Sequence, residues 1–342
     1  MKKTFLLAAL MVMAQQLMAQ DLADLFDATK NSVVTIYTAE NVNVGTGNPL
    51  TYTTSMGLGS GVLIRNDMVL TAAHVVGNAE EIMVQFLDGQ AVPAKTVRIS
   101  KIADVAVIQL LKLPQNPQVA TIGNSDETRI GEEIFVIGAP MGLAYSLSRG
   151  VISGRHSEDN MTLEGNLLEF FQTDASINTG NSGGPMFNYR GEVIGIVSSI
   201  LSRSGGFEGI GFAATSDVAK SILSSRGSKY FGIDAMLLSP EMASILNVPQ
   251  RSGWLVQHVV KNSPAGMSGV KGGFRKVTID EEEVLLGGDV ILSLDNLIIS
   301  DMESIVKIFL HLEESASTAR HKITVFRGGE KVDLFWISSD FY

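Results

Sequence analysis

From Ser32 to Gly211, short apolar or alternating runs recur between turn-forming residues. Ser32–Tyr37, Gly61–Arg65, Ile82–Phe86, Val105–Leu110, Glu133–Gly138 and Glu192–Val197 each have the period-two alternation or the short continuous apolar run of a strand. Arg65-Asn66-Asp67, Asp88-Gly89 and Asn188-Tyr189-Arg190-Gly191 supply turn chemistry between them. Closely spaced short strands without long intervening helices predict a β-barrel or sandwich architecture. A helix is predicted over Leu22–Ala28, with Leu22, Leu25 and Phe26 apolar. A second is predicted from Ser216 as N-cap through Val218, Ile222 and Leu223.

The pattern changes after Ser224. Ser224-Ser225-Arg226-Gly227-Ser228-Lys229 is small, polar and glycine-containing, the composition of a linker. Beyond it, strands are predicted at Trp254–Val260, Asp289–Leu294 and Lys322–Phe326, and helices at Pro240–Leu246, Ser263–Gly269 and Met302–Leu312. The expected organisation is a targeting segment over 1–19, a mainly β domain over 20–215, a helix and linker over 216–229, and a small α+β domain over 230–342. The acidic stretch Thr278-Ile279-Asp280-Glu281-Glu282-Glu283 reads as a solvated loop. There is no internal repeat and no low-complexity tract.

The targeting segment rests on Lys2 and Lys3 before the apolar stretch Phe5–Met13, with Ala14 and Ala19 as alternative small residues for cleavage. A membrane anchor is the competing reading. An unbroken span needs about 20 apolar residues, and this run is much shorter. Apolar residues make up 45% of the chain and charged residues 18%, enough for a buried core and against disorder. The net charge of −10 comes with no Lys/Arg cluster able to track a phosphate backbone, which excludes nucleic acid as an expected partner. With no cysteine in the chain, a thiolate nucleophile and a Cys-ligated metal are excluded as well.

Three local patterns carry candidate chemistry. In Thr71-Ala72-Ala73-His74-Val75 a histidine among small residues follows the strand-like Met68-Val69-Leu70, though a core or surface histidine would look the same. In Ile102-Ala103-Asp104-Val105-Ala106-Val107 a carboxylate is sunk in an apolar run. If buried, it needs a partner; an exposed turn aspartate is the alternative. The third pattern is Gln172-Thr-Asp-Ala-Ser-Ile-Asn-Thr-Gly180-Asn181-Ser182-Gly183-Gly184-Pro185. Glycines on both sides of a serine let a tight loop present the hydroxyl and turn backbone N–H groups toward a forming oxyanion. A phosphate-binding loop competes, but the lysine after the glycines is missing and no helix pattern follows. The order His, Asp, Ser is that of chymotrypsin-like proteases, not of subtilisins or α/β-hydrolases.

Taken together, Thr71-Ala-Ala-His, Ala103-Asp104-Val-Ala-Val, Gln172-Thr-Asp-Ala-Ser-Ile-Asn and Gly180-Asn-Ser-Gly-Gly-Pro resemble the catalytic blocks of the HtrA (Deg) family of serine proteases. Gly57-Leu-Gly-Ser-Gly-Val and Gly209-Ile-Gly-Phe-Ala resemble its flanking blocks, and Thr179 departs from the residue often found before Gly-Asn-Ser. The resemblance implies a two-barrel chymotrypsin-like domain followed by one PDZ domain, acting as a serine endopeptidase without cofactor or metal. It implies Ser182 as nucleophile, His74 as general base, Asp104 as its orienting carboxylate, and an oxyanion hole at Gly180, Asn181 and Ser182. Ile177 and Leu201 match positions lining the primary specificity pocket, which implies cleavage after small or medium aliphatic residues. Tyr230, Phe231, Gly232 and Ile233 stand where relatives carry the carboxylate-binding loop of the PDZ domain, supported by Ser263-Pro-Ala-Gly and Gly287-Gly-Asp-Val-Ile-Leu downstream. Arg155 resembles a regulatory loop arginine, with a solvated surface arginine as the alternative. The family further implies a periplasmic enzyme of misfolded or specific envelope proteins, with unfolded polypeptides as substrates, C-terminal peptides at the PDZ groove, and a homotrimer or higher multiple. A holding chaperone or PDZ adaptor with an idle protease site is the other function class.

Overall fold

The computed structural model describes residues 21–43, 52–139, 145–163, 166–200, 206–224, 230–279, 282–315 and 319–337. The targeting segment, Leu201 and the linker residues 225–229 fall outside them. Among the described residues, six strands close a first barrel: β1 (Val33–Asn43), β2 (Tyr52–Arg65), β3 (Met68–Thr71), β4 (Glu81–Gln85), β5 (Ala91–Ser100) and β6 (Val105–Leu110), in the order β1-β2-β3-β6-β5-β4. A second barrel is built from β7 (Glu133–Gly138), β8 (Ser146–Leu163), β9 (Asn166–Thr173), β10 (Pro185–Asn188), β11 (Val193–Ile200) and β12 (Gly211–Thr215), ordered β10-β11-β12-β9-β8-β7. Paired strands within both barrels run antiparallel.

Side chains alternate across a strand, so a continuous apolar run means that both faces are buried. In β6, Ala106, Ile108 and Leu110 fill the interior of the first barrel, while Val105 and Val107 point the other way. In β7, Ile134 and Val136 fill the second barrel, and Phe135 and Ile137 face outward. These outward residues meet Val62, Leu70, Phe187 and Ile196 in one apolar layer between the barrels, with Phe135 stacked on Phe187 at 5.1 Å.

Two helices seal that layer. Helix α1 (Leu22–Thr29) is capped by the Asp21 carboxylate, which accepts from the Ala23 N–H, and it buries Leu25. Between β3 and β4 lies the one-turn helix α2 (Ala73–Val76), which the residue pattern did not reveal. Helix α3 (Ser216–Ser224) takes Ser216 as its first residue rather than as the expected N-cap, its Oγ donating to the Gly123 carbonyl at 2.9 Å, and it buries Val218, Ala219 and Ile222 in the same layer. Arg98 donates to the Leu223 carbonyl near the α3 C-terminus, satisfying an otherwise orphaned acceptor.

The C-terminal unit contains α4 (Pro240–Ile245), α5 (Pro264–Ser268) and α6 (Met302–Glu314). Its sheet comprises β13 (Ile233–Leu237), β14 (Trp254–Val259), β17 (Val290–Leu294), β19 (Arg320–Arg327) and β20 (Glu330–Ile337), hydrogen-bonded in that order. The two-residue β18 (Leu297–Ile298) pairs with β17. Helix α6 opens with a capping box between Asp301 and Ser304 and buries Ile305, Ile308 and Leu312 against the sheet. The acidic stretch, expected as a loop, is strand on either side of Asp280 and Glu281, which fall outside the described residues. There β15 (Arg275–Ile279) pairs with β16 (Glu282–Leu286), and Val277, Ile279, Val284 and Leu286 pack into an apolar cluster while Glu283 is exposed.

Candidate active site

His74 sits on α2, immediately after β3 has crossed the first barrel. Its ring Nδ1 lies 2.8 Å from Asp104 Oδ2, and its backbone N–H donates to Asp104 Oδ1 at 3.0 Å. Asp104 precedes β6 with φ +49°, a left-handed conformation that aspartate tolerates better than most residues. The turn aims its carboxylate at the imidazole. Burial pushes the Asp104 carboxyl upward, but hydrogen bonds from His74 and Ser198 outweigh it, and the net position is below the usual carboxylate value. Asp104 therefore stays ionised, able to hold the imidazole in one tautomer and to stabilise its protonated form.

Ser198, on β11, escaped the sequence reading. Its Oγ donates to Asp104 Oδ2 at 2.5 Å, and its carbonyl accepts from Ser182 Oγ at 3.4 Å. It thus touches both the carboxylate and the serine. Nothing local in Val197-Ser198-Ser199-Ile200 marks one serine over the other, since only the fold brings Asp104 alongside.

Ser182 lies on the turn between β9 and β10. Gly183 has φ +81°, and a Cβ there would fall 2.2 Å from Thr71 Oγ1 and 2.3 Å from the Ser60 carbonyl. Only glycine fits. The Gly183 N–H donates to the Val197 carbonyl at 2.7 Å, and the Gly184 N–H to that of Asn181 at 2.9 Å. Ser60 of β2 reaches across from the first barrel. Its Oγ donates to the Gly180 carbonyl at 2.6 Å and accepts from the Ala139 N–H at 2.9 Å, while its own N–H donates to the Ser182 carbonyl at 2.8 Å. Ser60 is fully buried. The Gly57–Val62 block held the signal for it, but the serine's role became visible only once the barrels met.

Among the described residues, the Gly180 and Ser182 amides have no hydrogen-bond acceptor, so both are available to an oxyanion. Asn181 is not. Its N–H is committed to the Asn178 carbonyl at 2.9 Å, and its side chain is buried against Gly138, which removes it from the expected donor set. His74, Ile177, Thr179, Gly180, Ser182 and Ile200 line one open cleft of about 540 Å³. Ile177 is almost wholly buried at its wall, and Ile200, adjacent to Leu201 in sequence, supplies a second apolar side chain. Among the described residues no hydrogen bond joins Ser182 to His74.

Arg155 is placed away from this cleft, on β8. Its guanidinium forks onto Glu169 at 2.9 and 2.6 Å, donates to the Thr128 and Ser125 carbonyls, and lies 5.2 Å from the Phe171 ring centre. Tyr230 packs where the C-terminal unit meets the first barrel, its hydroxyl donating to the Gly77 carbonyl at 3.0 Å. Burial pushes its phenol strongly upward. Phe231 and Gly232 lie against the start of α5, their carbonyls accepting from the Ala265 N–H at 3.0 Å and the Val260 N–H at 2.9 Å, with Gly232 at φ +79°, and Ile233 opens β13, which ends the sheet order and pairs with β14.

The trypsin-like peptidase domain family matches residues 59–196, a span holding His74, Asp104 and Ser182. A probable periplasmic serine endoprotease DegP-like protein of Pseudomonas putida (strain GB-1) is 35% identical over 243 residues, covering 68% of this chain and 49% of the relative. The periplasmic serine endoprotease DegP of Salmonella typhimurium is 32% identical over 297 residues, covering 82% and 62%. The HtrA-type protease AlgW, solved with a tripeptide, is 30% identical with a TM-score of 0.50 and covers 92% of this chain and 95% of that one. A variant of AlgW solved with a decapeptide gives 29% and 0.54, covering 92% and 96%.

The chain belongs to the HtrA/Deg family of serine proteases. This HtrA-family chain spans about half the length of the first curated relatives it matches, at 49% of the Pseudomonas putida protein. Among its described residues, no helix is long and apolar enough to cross a membrane.

Proposed function

We propose that this HtrA-family chain is an exported, periplasmic serine endopeptidase acting on unfolded or extended polypeptides. The observation that carries the reading is that His74 and Ser182 line one cleft, with Asp104 bonded to the His74 imidazole at 2.8 Å behind it and the Gly180 and Ser182 amides unengaged. Ser182 attacks the peptide carbonyl while His74 takes its proton, and His74 then protonates the leaving amine. Asp104 orients the imidazole and stabilises its charged form. The Gly180 and Ser182 amides stabilise the tetrahedral oxyanion, each worth about 3–4 kcal/mol in the transition state. Ile177 and Ile200 at the cleft wall support cleavage after small or medium aliphatic residues.

The 230–342 unit is read as a PDZ domain. A peptide C-terminus would meet the turn at Tyr230–Ile233 and add to β13 as a further strand. The AlgW structures were solved with short peptides, which supports polypeptide ligands for this chain, and a trimer built through the barrel domains belongs to the family reading. The lack of a Ser182–His74 hydrogen bond among the described residues supports a resting enzyme whose triad closes when substrate or a bound peptide shifts the nucleophile turn.

Digestion of casein by the purified chain is the test. Ser182→Ala is expected to lower the rate by about three orders of magnitude or more. Equal, negligible cleavage by both proteins would favour the holding chaperone or adaptor.

A further inference from the structure

Far from the catalytic cleft, three metal-competent side chains converge in the C-terminal unit from three separate elements. Asp295 occupies the turn between β17 and β18, His311 the last turns of α6, and His321 the start of β19. Asp295 Oδ2 lies 2.9 Å from His311 Nε2 and 2.6 Å from His321 Nδ1. All three ligand atoms lie within 4.8 Å of one another. We propose that Asp295, His311 and His321 form a divalent transition-metal site, suited to zinc, that pins the end of α6 to the sheet.

The donor set argues for the class of ion. Two imidazoles and one carboxylate match zinc and its neighbours, whereas calcium and magnesium demand more oxygens. Three protein ligands leave a fourth position for water. A tetrahedral zinc with bonds of about 2.0–2.1 Å sets its ligand atoms roughly 3.3 Å apart, so the two Asp–His separations must widen by about half an ångström. His311 can supply that movement, because its side chain is 42% exposed at a helix end. The same exposure gives the ion a path from solvent.

The other two ligands are held. Asp295 has φ +48° and Asn296 φ +71°, and the Asp295 N–H donates to the Lys322 carbonyl at 2.8 Å. The Lys322 N–H returns a bond of 2.7 Å to Asp295 Oδ1, which fixes the carboxylate and leaves Oδ2 directed at the imidazoles. Such outer-sphere bonds are what orient metal ligands. His321 is 2% exposed and packs on Trp336, with ring centres 4.7 Å apart. Trp336 in turn lies 5.0 Å from Phe231. A backbone turn alone would be served by asparagine or glycine at position 295; the carboxylate facing two imidazoles goes beyond what the turn requires.

The experiment uses the full chain carrying Ser182→Ala and His74→Ala, so that neither self-digestion nor metal at the catalytic pair intrudes. Equilibrium dialysis at neutral pH is expected to retain one zinc per chain at micromolar free metal. Cobalt in its place should show the visible bands of a four-coordinate site, and zinc should alter tryptophan fluorescence through Trp336. At free zinc 100 times the dissociation constant, the folding equilibrium of the unit shifts by about 100-fold. Asp295→Asn and the surface variant His311→Ala should each weaken retention about tenfold or more. Failure to retain zinc at micromolar free metal overturns the proposal, as does retention undiminished by both variants.

Discussion

Ser198 touches the two ends of the catalytic arrangement, through its hydroxyl on Asp104 and its carbonyl near Ser182. A hydrogen bond to a charged group is worth about 1.5–3 kcal/mol. Ser198→Ala should therefore lower kcat roughly tenfold, with KM nearly unchanged, in steady-state assays on a peptide substrate. The same bond bears on acid stability. Asp104 is held below its ordinary value in the folded protein, so its contribution is full above the unfolded carboxylate range and is lost as pH falls through the lowered folded value. Denaturant melts should show Ser198→Ala narrowing its stability gap to the parent as the solution becomes acidic. At Gly183, left-handed backbone and a Cβ overlapping Thr71 and Ser60 act together. Gly183→Ala is expected to lose about 3 kcal/mol or more of stability by urea unfolding.

Among the elements, β6, β7 and β11 were legible because each is buried on two faces, giving unbroken runs such as Val105-Ala-Val-Ile. The polar strands β8 and β5 were missed for the opposite reason. Pro93, Lys95 and Arg98 interrupt β5, and Ser157-Glu158-Asp159-Asn160 interrupt β8, so their strand character comes from pairing with neighbours. In the β15–β16 hairpin the alternation at Val277, Ile279, Val284 and Leu286 was present but was outweighed by the acidic run. The three residues proposed as the triad could be picked out, since glycine chemistry and motif order are local. Ser60 and Ser198 were not, because a buried serine has no signature until a second element arrives. Arg155 is the element-scale pin. It joins β8 to β9 and to the turn at Ser125–Thr128, so Arg155→Leu should cost about 2 kcal/mol by unpairing the half-buried Glu169. Lysine should rescue little, lacking the fork. A regulatory part for Arg155 would require it to leave all these bonds, which calorimetry on the variant would read as lost melting temperature.

Across the whole molecule, the C-terminal unit rests on the first barrel through polar contacts. Lys101 pairs with Asp234 at 2.6 Å, the Lys261 N–H donates to the Glu80 carboxylate at 2.8 Å, and Tyr230 reaches Gly77. Glu40 lies in the same region. Burial chiefly, together with Asp234 and Glu80, raises its pKa against the opposing pull of His258 and Asn78. The folded chain therefore favours protonated Glu40. Its contribution is full below the unfolded carboxylate value and is lost as pH rises through the raised folded one. Glu40→Gln should accordingly stabilise the chain at neutral pH and make no difference in acid, a convergence that melts at the two pH values would reveal.

The grip of Ser60 on the nucleophile turn has a mechanical corollary. A residue rooted in one half of the catalytic body steadies the reactive hydroxyl of the other, so slippage of the halves by a fraction of an ångström unseats the chemistry while every strand survives. Gentle heating or dilute urea should then silence cleavage before far-ultraviolet circular dichroism registers any change.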